Sequence, residues 1–414
     1  MSTLQPVRGT HDILPEDMRR HLSVTDTARD VSALYGFEEM ATPAFEFTEV
    51  FARTLGDVSD IVTKEMYTFE DKGGDRITLR PENTASVMRA YLSNGLQQSL
   101  PCRFFYRGPM FRYERPQKGR QRQFHQIGIE LIGISEPLGD VEIIAVGAQI
   151  LERLGIRDRT KLEINSLGDT ESRDTYRARL VEYFSRYEAD LSHDSKERLT
   201  RNPLRILDSK DEKDRDIVAG APAFADSLTA AATTFFDDVL QRLDRLGIVY
   251  EINPRLVRGL DYYCHTAFEF TTDELGSQSA VLAGGRYDGL VEQMGGPATP
   301  GVGWAAGVER LAMMIAEPAP LTRPISIIPV GDDAFEMCFD LAHRLRSAGF
   351  AIDFGYSGNM KKRMKRADKA GAVAALMIGS EELARNVAAV RDMETGEQID
   401  VAIASLEEHL ARYR

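Results

Sequence analysis

Residues 111–126 read FRYERPQKGRQRQFHQ. The stretch holds five Arg or Lys residues and one Glu, in a chain of 414 residues whose net charge is −13. Strand-like segments at 110–114 and 123–132 flank a polar loop, the pattern of an antiparallel hairpin. Successive strand side chains point to opposite faces. In the second strand Ile127, Ile129 and Leu131 share one face, and Phe124, Gln126, Gly128 and Glu130 share the other. In the first, Arg112 and Glu114 are expected on one face. The apolar face is a core face. The polar face is either a solvated sheet surface or the floor of a site. As a floor, Arg112 would hold a phosphate, Phe124 would stack under a planar base, the carboxylates would bind a cation, and Gly128 would leave room for a ligand. The cations of loop 115–122 are expected to reach outward, suited to a nucleic-acid backbone.

Outward from the hairpin, 16–34 reads as a helix, with Pro15 at its first turn and Met18, Leu22, Val31 and Leu34 at helical spacing. A strand-like stretch, 37–47, is interrupted by Pro43, which suits an edge, bulge or interface. Further strand character lies at 76–80, 103–107 and 162–165, and a helical pattern at 141–154. Residues 170–246 are helical without a convincing strand, the mark of an insertion. Strands return at 250–270, followed by a Gly-rich segment, 283–303, and a helix at 307–316. After the Pro-bearing linker 317–324, strands at 325–330, 350–354 and 372–378 alternate with helices at 335–348 and 360–370, which predicts a small α/β domain with a parallel or mixed sheet. The expected organisation is an α+β catalytic domain on an antiparallel sheet (1–169 and 247–320), a helical insertion (170–246) and a C-terminal α/β domain (325–414).

Length predicts two or three domains, and 43% hydrophobic with 28% charged residues is ordinary for a soluble globular chain. No apolar run is long enough for a membrane helix, and the first residues lack a secretory pattern. Cys102, Cys264 and Cys338 are odd in number and far apart, so they read as reduced thiols of a cytoplasmic protein. The seven His residues show no tight metal-ligand spacing in sequence. Overall acidity argues against a protein that coats nucleic acid indiscriminately. A second basic cluster, Lys361, Lys362, Arg363, Lys365, Arg366 and Lys369, lies in a C-terminal segment (325–414) that is otherwise nearly neutral, with 12 Lys+Arg against 14 Asp+Glu. If Met360, Met364 and Ala367 pack inward, these cations face out. The plainer alternative is a solvated helix face.

Phe111-Arg112-x-Glu114, the basic loop and Arg120-x-x-x-Phe124 resemble motif 2 of the class II aminoacyl-tRNA synthetases. The segment GVGWAAGVERL, from Gly301 to Leu311, resembles their motif 3, and the Pro43 strand after a long helix resembles motif 1, which lies at the dimer interface in that class. Within the class, LVRGLDYY at Leu256 to Tyr263 resembles the segment that marks histidyl-tRNA synthetases. Arg80-Pro81-Glu82-x-Thr84, QFHQxGxE at Gln123 to Glu130 and GGRYDGL at Gly284 to Leu290 match the same family, as does RGTHD at Arg8 to Asp12. The resemblance covers essentially the whole chain.

It implies activation of histidine by ATP, with Mg2+, to histidyl-adenylate and pyrophosphate, then transfer to the 3′ end of tRNA(His) by a homodimer. By resemblance Arg112 contacts the α-phosphate, Arg310 the γ-phosphate, Glu114 the nucleotide and Phe124 the adenine. Arg258 stands near the α-phosphate, where other class II enzymes use a metal ion. Glu82, Thr84 and Gln126 belong to the set around the histidine ammonium, Glu130, Tyr262 and Tyr263 to that around the imidazole, and Asn83 is a further candidate for histidine binding. Arg115, Lys118, Arg120, Arg122, Lys361, Lys362 and Lys365 are the candidates for tRNA contact, and the C-terminal domain resembles the family's anticodon-binding domain. The pattern is departed from at Asn83, where Gly is usual, and at Cys264-His265, where Asn-Arg or Thr-Gly is common. The competing readings are a histidine-binding regulatory paralogue of an ATP phosphoribosyltransferase, which generally lacks the C-terminal domain, and a non-catalytic RNA-binding sensor on the same fold. Retention of that domain and of Arg112, Arg258 and Arg310 discriminates against both.

Overall fold

The hairpin read from the sequence forms the longest pairing in the molecule: ten residues on each side, from Cys102 opposite Ile132 to Phe111 opposite Gln123. The structure is a computed structural model and describes residues 3–55, 61–117, 119–207, 209, 211–257, 262–276, 280–316 and 321–413. The chain divides into two units, Met1–Ala319 and Pro320–Arg414.

The first unit contains strands β1 (Glu38–Glu39), β2 (Phe45–Phe47), β3 (Tyr67–Glu70), β4 (Arg76–Leu79), β5 (Cys102–Phe111), β6 (Gln123–Ile132), β7 (Lys161–Ser166), β8 (Glu251–Ile252), β9 (Cys264–Thr271), β10 (Ala280–Arg286) and β11 (Gly301–Gly307). Eight of them form one sheet in the order β1-β5-β6-β11-β10-β9-β7-β8. The inner pairings are antiparallel, and the short edge strands β1 and β8 pair parallel. The two segments expected at 103–107 and 110–114 are one strand that ends at Phe111. Pro109 fits inside it because β1 pairs only with Phe104 and Phe105, which leaves the rest of that side without a ladder to interrupt. Arg112 and Glu114 therefore lie beyond the strand, and its alternation does not place them.

One face of the sheet buries Ile127, Ile129, Leu131, Val302, Trp304 and Ala306 against helices Pro15–Leu34, Pro137–Arg153 and Ala230–Arg245. The last helix contributes Phe236, Val239 and Leu243 at helical spacing. This part of the stretch expected as an insertion thus packs in the main core. The separate small core consists of Tyr176, Leu180, Phe184, Leu191, Leu199, Ile206 and Phe224. A second, three-stranded sheet, β2-β4-β3, turns Glu46 and Thr78 inward, and Arg89 of helix Thr84–Ser93 pairs with Glu46.

The second unit is a five-stranded sheet of β12 (Ile325–Pro329), β13 (Ile352–Phe354), β14 (Ala374–Ile378), β15 (Val387–Asp392) and β16 (Gln398–Ala402), ordered β13-β12-β14-β15-β16. The first three are parallel and the last two antiparallel. The final hairpin is absent from the sequence-based expectation, since Ala-rich VAAVRD and mostly exposed QIDVA carry little strand signal.

Candidate active site

A cleft of about 250 Å³ opens on the face of the large sheet opposite the main core. Its lining includes Glu82, Thr84, Arg112, Glu114, Arg120, Gln121, Phe124, Gln126, Tyr262, Tyr263, Glu269, Glu309 and Arg310. The sheet's second face is therefore not a solvated surface.

One end of the cleft is cationic. Past the end of β5, the Arg112 guanidinium donates to the Pro81 carbonyl at 2.9 Å and lies 5.3 Å from the centre of the Phe124 ring. Arg120 pairs with Glu114 at 2.8 Å, and Glu114 stands 3.9 Å from Arg112. Arg310 donates to the carbonyls of Gly119 and Ala280. Burial lowers the pKa of Arg310, and the nearby charges of Arg120 and Arg112 lower it further. Three guanidiniums converging in one cleft repel one another, so a polyanion there is favoured.

The other end is enclosed and weakly charged. Glu82 accepts from the backbone N–H groups of Thr84 and Ala85 at the start of helix Thr84–Ser93, yet burial raises its pKa. The Gln126 amide oxygen is buried without a hydrogen-bond partner and lines the cleft, a ready acceptor for a donor on a ligand. Tyr262 and Tyr263 are nearly fully buried, their ring centres 4.6 Å apart and their planes tilted by 46°.

Glu130 is fully buried and is not among the lining residues. It accepts from the Thr84 hydroxyl at 2.6 Å and from the Tyr287 hydroxyl. Burial pushes its carboxyl up to about 8, against the opposing effect of these two hydrogen bonds. A Cβ on Gly303 would stand 2.0 Å from its Oε2, so only glycine fits beside it in β11. Tyr287 carries no sequence signal for this role beyond its position in GGRYDGL.

Several expected placements differ. The space above Gly128 is filled by Tyr106, whose hydroxyl would lie 2.3 Å from an added Cβ; the glycine serves side-chain packing and not ligand access. The Asn83 side chain turns out of the cleft, where its oxygen accepts from Thr42 at 2.7 Å and Arg80 at 3.2 Å. Arg120 points into the cleft and not outward. Arg122 lies 3.8 Å from the centre of the Tyr113 ring and donates to the Glu114 carbonyl. Of the hairpin cations expected at tRNA, Arg115 is exposed, and Lys118 lies outside the described residues. Arg258 also lies outside them. His265 packs on Phe235 at 4.6 Å and does not line the cleft.

In the second unit, Lys361, Lys362 and Lys365 are exposed on helix Met360–Lys369. Ala367 is fully buried and Met364 half-buried, but Met360 is exposed, so the inward stripe is narrower than expected. Arg366 pairs with Asp353 at 2.9 Å, and Arg363 donates to the Pro329 carbonyl.

A long antiparallel hairpin with a cationic cleft, closed by a Gly-rich strand that runs into a helix bearing Glu309 and Arg310, is the catalytic architecture of a class II aminoacyl-tRNA synthetase. The comparisons narrow the class. The family model described as Histidyl-tRNA synthetase matches residues 9–311, and that described as Anticodon binding domain matches residues 325–413. The chain belongs to the histidyl-tRNA synthetase family. It is 60% identical over 414 residues to a histidine–tRNA ligase of Rhodospirillum rubrum, covering 100% of both chains. It is 55% identical over 411 residues to one of Gluconacetobacter diazotrophicus, covering 99% of each. The solved apo histidyl-tRNA synthetase of S. aureus matches with a TM-score of 0.84 at 36% identity, over 98% of this chain and 99% of that one.

Proposed function

We propose that the cleft activates histidine with ATP and passes it to tRNA(His). The histidine carboxylate oxygen attacks the α-phosphorus, the bond to the bridging oxygen breaks, and pyrophosphate leaves. A ribose hydroxyl at the tRNA 3′ end then attacks the acyl carbon, and AMP leaves. The convergence of Arg112, Arg120 and Arg310 beside an enclosed polar pocket carries this reading. Phosphoryl transfer asks mainly for positioning and charge stabilisation, and planar, permanently charged forks supply both.

The triphosphate occupies the cationic end, with Phe124 against the adenine. Glu82, Thr84 and Gln126 receive the histidine ammonium, while Tyr262 and Tyr263 face its ring. Glu130 acts through Thr84 and Tyr287, as a positioning residue. Arg258 is assigned to the α-phosphate on the family pattern alone. Glu114 and Glu269 both line the cleft, and carboxylate oxygens suit a hard cation. They would hold Mg2+, which would offset phosphate charge.

A homodimer is supported by the outer face of the small sheet. Phe45, Phe47 and Phe69 are each about half exposed there, in register with Ile77 and Leu79, an apolar patch suited to a second copy. The C-terminal unit binds tRNA through exposed Lys361, Lys362 and Lys365. Among the described residues no helix is long and apolar enough to cross a membrane, and the three cysteines are free thiols, consistent with the cytoplasm. The regulatory-paralogue reading would leave the matched anticodon-binding domain without a role.

ATP–pyrophosphate exchange with each of the twenty amino acids, without tRNA, tests the reading. Exchange with histidine alone is expected. Silence from a folded chain overturns it.

A further inference from the structure

Two of the chain's seven histidines, His21 and His125, come from distant positions in sequence and meet one carboxylate in space. His21 is on helix Pro15–Leu34, His125 on β6, and Glu309 on helix Val308–Met314. One ligand atom from each of these last three lies within 4.8 Å of the others. The His125 Nδ1 is 2.8 Å from a Glu309 oxygen, and the His21 ring meets the His125 ring edge-on at 5.5 Å. Both Glu309 oxygens also accept from the His125 backbone N–H, at 2.9 and 3.0 Å, which orients the carboxylate. The cluster borders a hollow of about 410 Å³ that adjoins the cleft through Gly119, Gln121 and Glu309 and is also lined by His11 and Asp17.

We infer that His21, His125 and Glu309 form a binding site for a zinc-class divalent cation, beside the nucleotide cleft and separate from the Mg2+ that enters with ATP. Two imidazoles and a carboxylate are the donor set of open zinc sites. Nitrogen donors select zinc, nickel or copper over magnesium. A tetrahedral ion with bonds of about 2.0–2.2 Å places its ligand atoms roughly 3.4 Å apart, so side-chain rotations within the 4.8 Å spread close the site. The open position faces the hollow, where His11, Asp17 or water completes the shell. A bound ion would tie the N-terminal helix to β6 and to the helix that carries Arg310.

The test titrates the full-length chain, without ATP, with Co2+ and then displaces it with Zn2+. Wild type is expected to take up one equivalent with the visible ligand-field bands of nitrogen-bound Co2+ at low coordination number, lost on Zn2+ addition. Its melting temperature should rise with Zn2+. His21→Asn, and His21→Phe, which keeps the ring contact with His125 but removes both nitrogens, should each weaken binding at least tenfold and abolish the thermal shift. Their histidine-dependent exchange, with Mg2+ in excess and trace zinc removed by a zinc-selective chelator, should match wild type, which excludes a folding defect. Absence of stoichiometric binding in wild type, or equal binding by the two variants, overturns the assignment.

Discussion

The hairpin at 111–126 and the helix at 360–369 each cluster cations around a single acidic residue, and their organisation is opposite. In the hairpin Arg112 and Arg120 turn into a cleft and meet Arg310 there, and Arg122 is spent on its own loop. In the helix Lys361, Lys362 and Lys365 fan into solvent. Antiparallel strands and a returning loop aim side chains at a common point, whereas a helix with one buried stripe spreads the rest over an arc. The first arrangement suits one compact polyanion held in fixed geometry. The second suits an extended backbone met by mobile charges. A third kind of cation sets the scale: Arg286, fully buried, bonded to Asp140 and donating to the Ile134 carbonyl at 2.9 Å.

The largest expected effect falls on that buried reference. Arg286→Ala leaves Asp140 without its partner and should cost about 3–5 kcal/mol of stability, read by denaturant unfolding. A loss below about 1 kcal/mol would remove its standing as a structural cation. Next comes the converging hairpin. Arg112→Ala should lower histidine-dependent ATP–pyrophosphate exchange about 10²–10³-fold with the fold intact, and a loss of only a few-fold would put it with the solvent-facing cations.

The floor beneath the hairpin adds a pH signature. Glu130's folded pKa, about 8, lies above its ordinary value of 4.5. Between these values the folded chain holds a proton that the unfolded chain releases. The contribution to stability is complete below the lower value and is lost as pH rises through about 8. Within that window the slope is up to about 1.4 kcal/mol per pH unit. Glu130→Gln should flatten the curve relative to wild type, and parallel curves would show that the carboxyl is ionised throughout. The smallest effect belongs to the helix. Replacing Lys361, Lys362 and Lys365 together by Ala should raise KM for tRNA about tenfold and reduce its salt dependence, leaving exchange unchanged. An unchanged KM would reduce the comparison to one functional cluster and one solvated face.

Much of this is legible in the sequence. The register of β6 followed from the alternation of Ile127, Ile129 and Leu131 with polar residues, because a one-residue slip would bury Gln126 and Glu130 in the main core. The change of grammar after the Pro-bearing linker marked the second unit. What escaped was directional. Parity could not place Arg112 and Glu114, since β5 stops at Phe111. The room above Gly128 belongs to Tyr106, and Asn83 turns toward Thr42, because a residue type does not state which neighbour claims it. Ala230–Arg245 joins the main core although its sequence suits an insertion equally, because helical periodicity reveals an apolar face but not the surface it meets.

The sequence by itself determined most of the element types, the start of the C-terminal unit, the hairpin and the family pattern, because these rest on periodicity and on motifs spanning a few residues each. Tertiary structure alone decided which arginines converge and that Glu130 is buried behind Thr84 and Tyr287. It alone brought His21, His125 and Glu309 together across nearly 300 residues of chain. Such groupings depend on sheet order and helix packing, and neither is written in the spacing of residues along the chain.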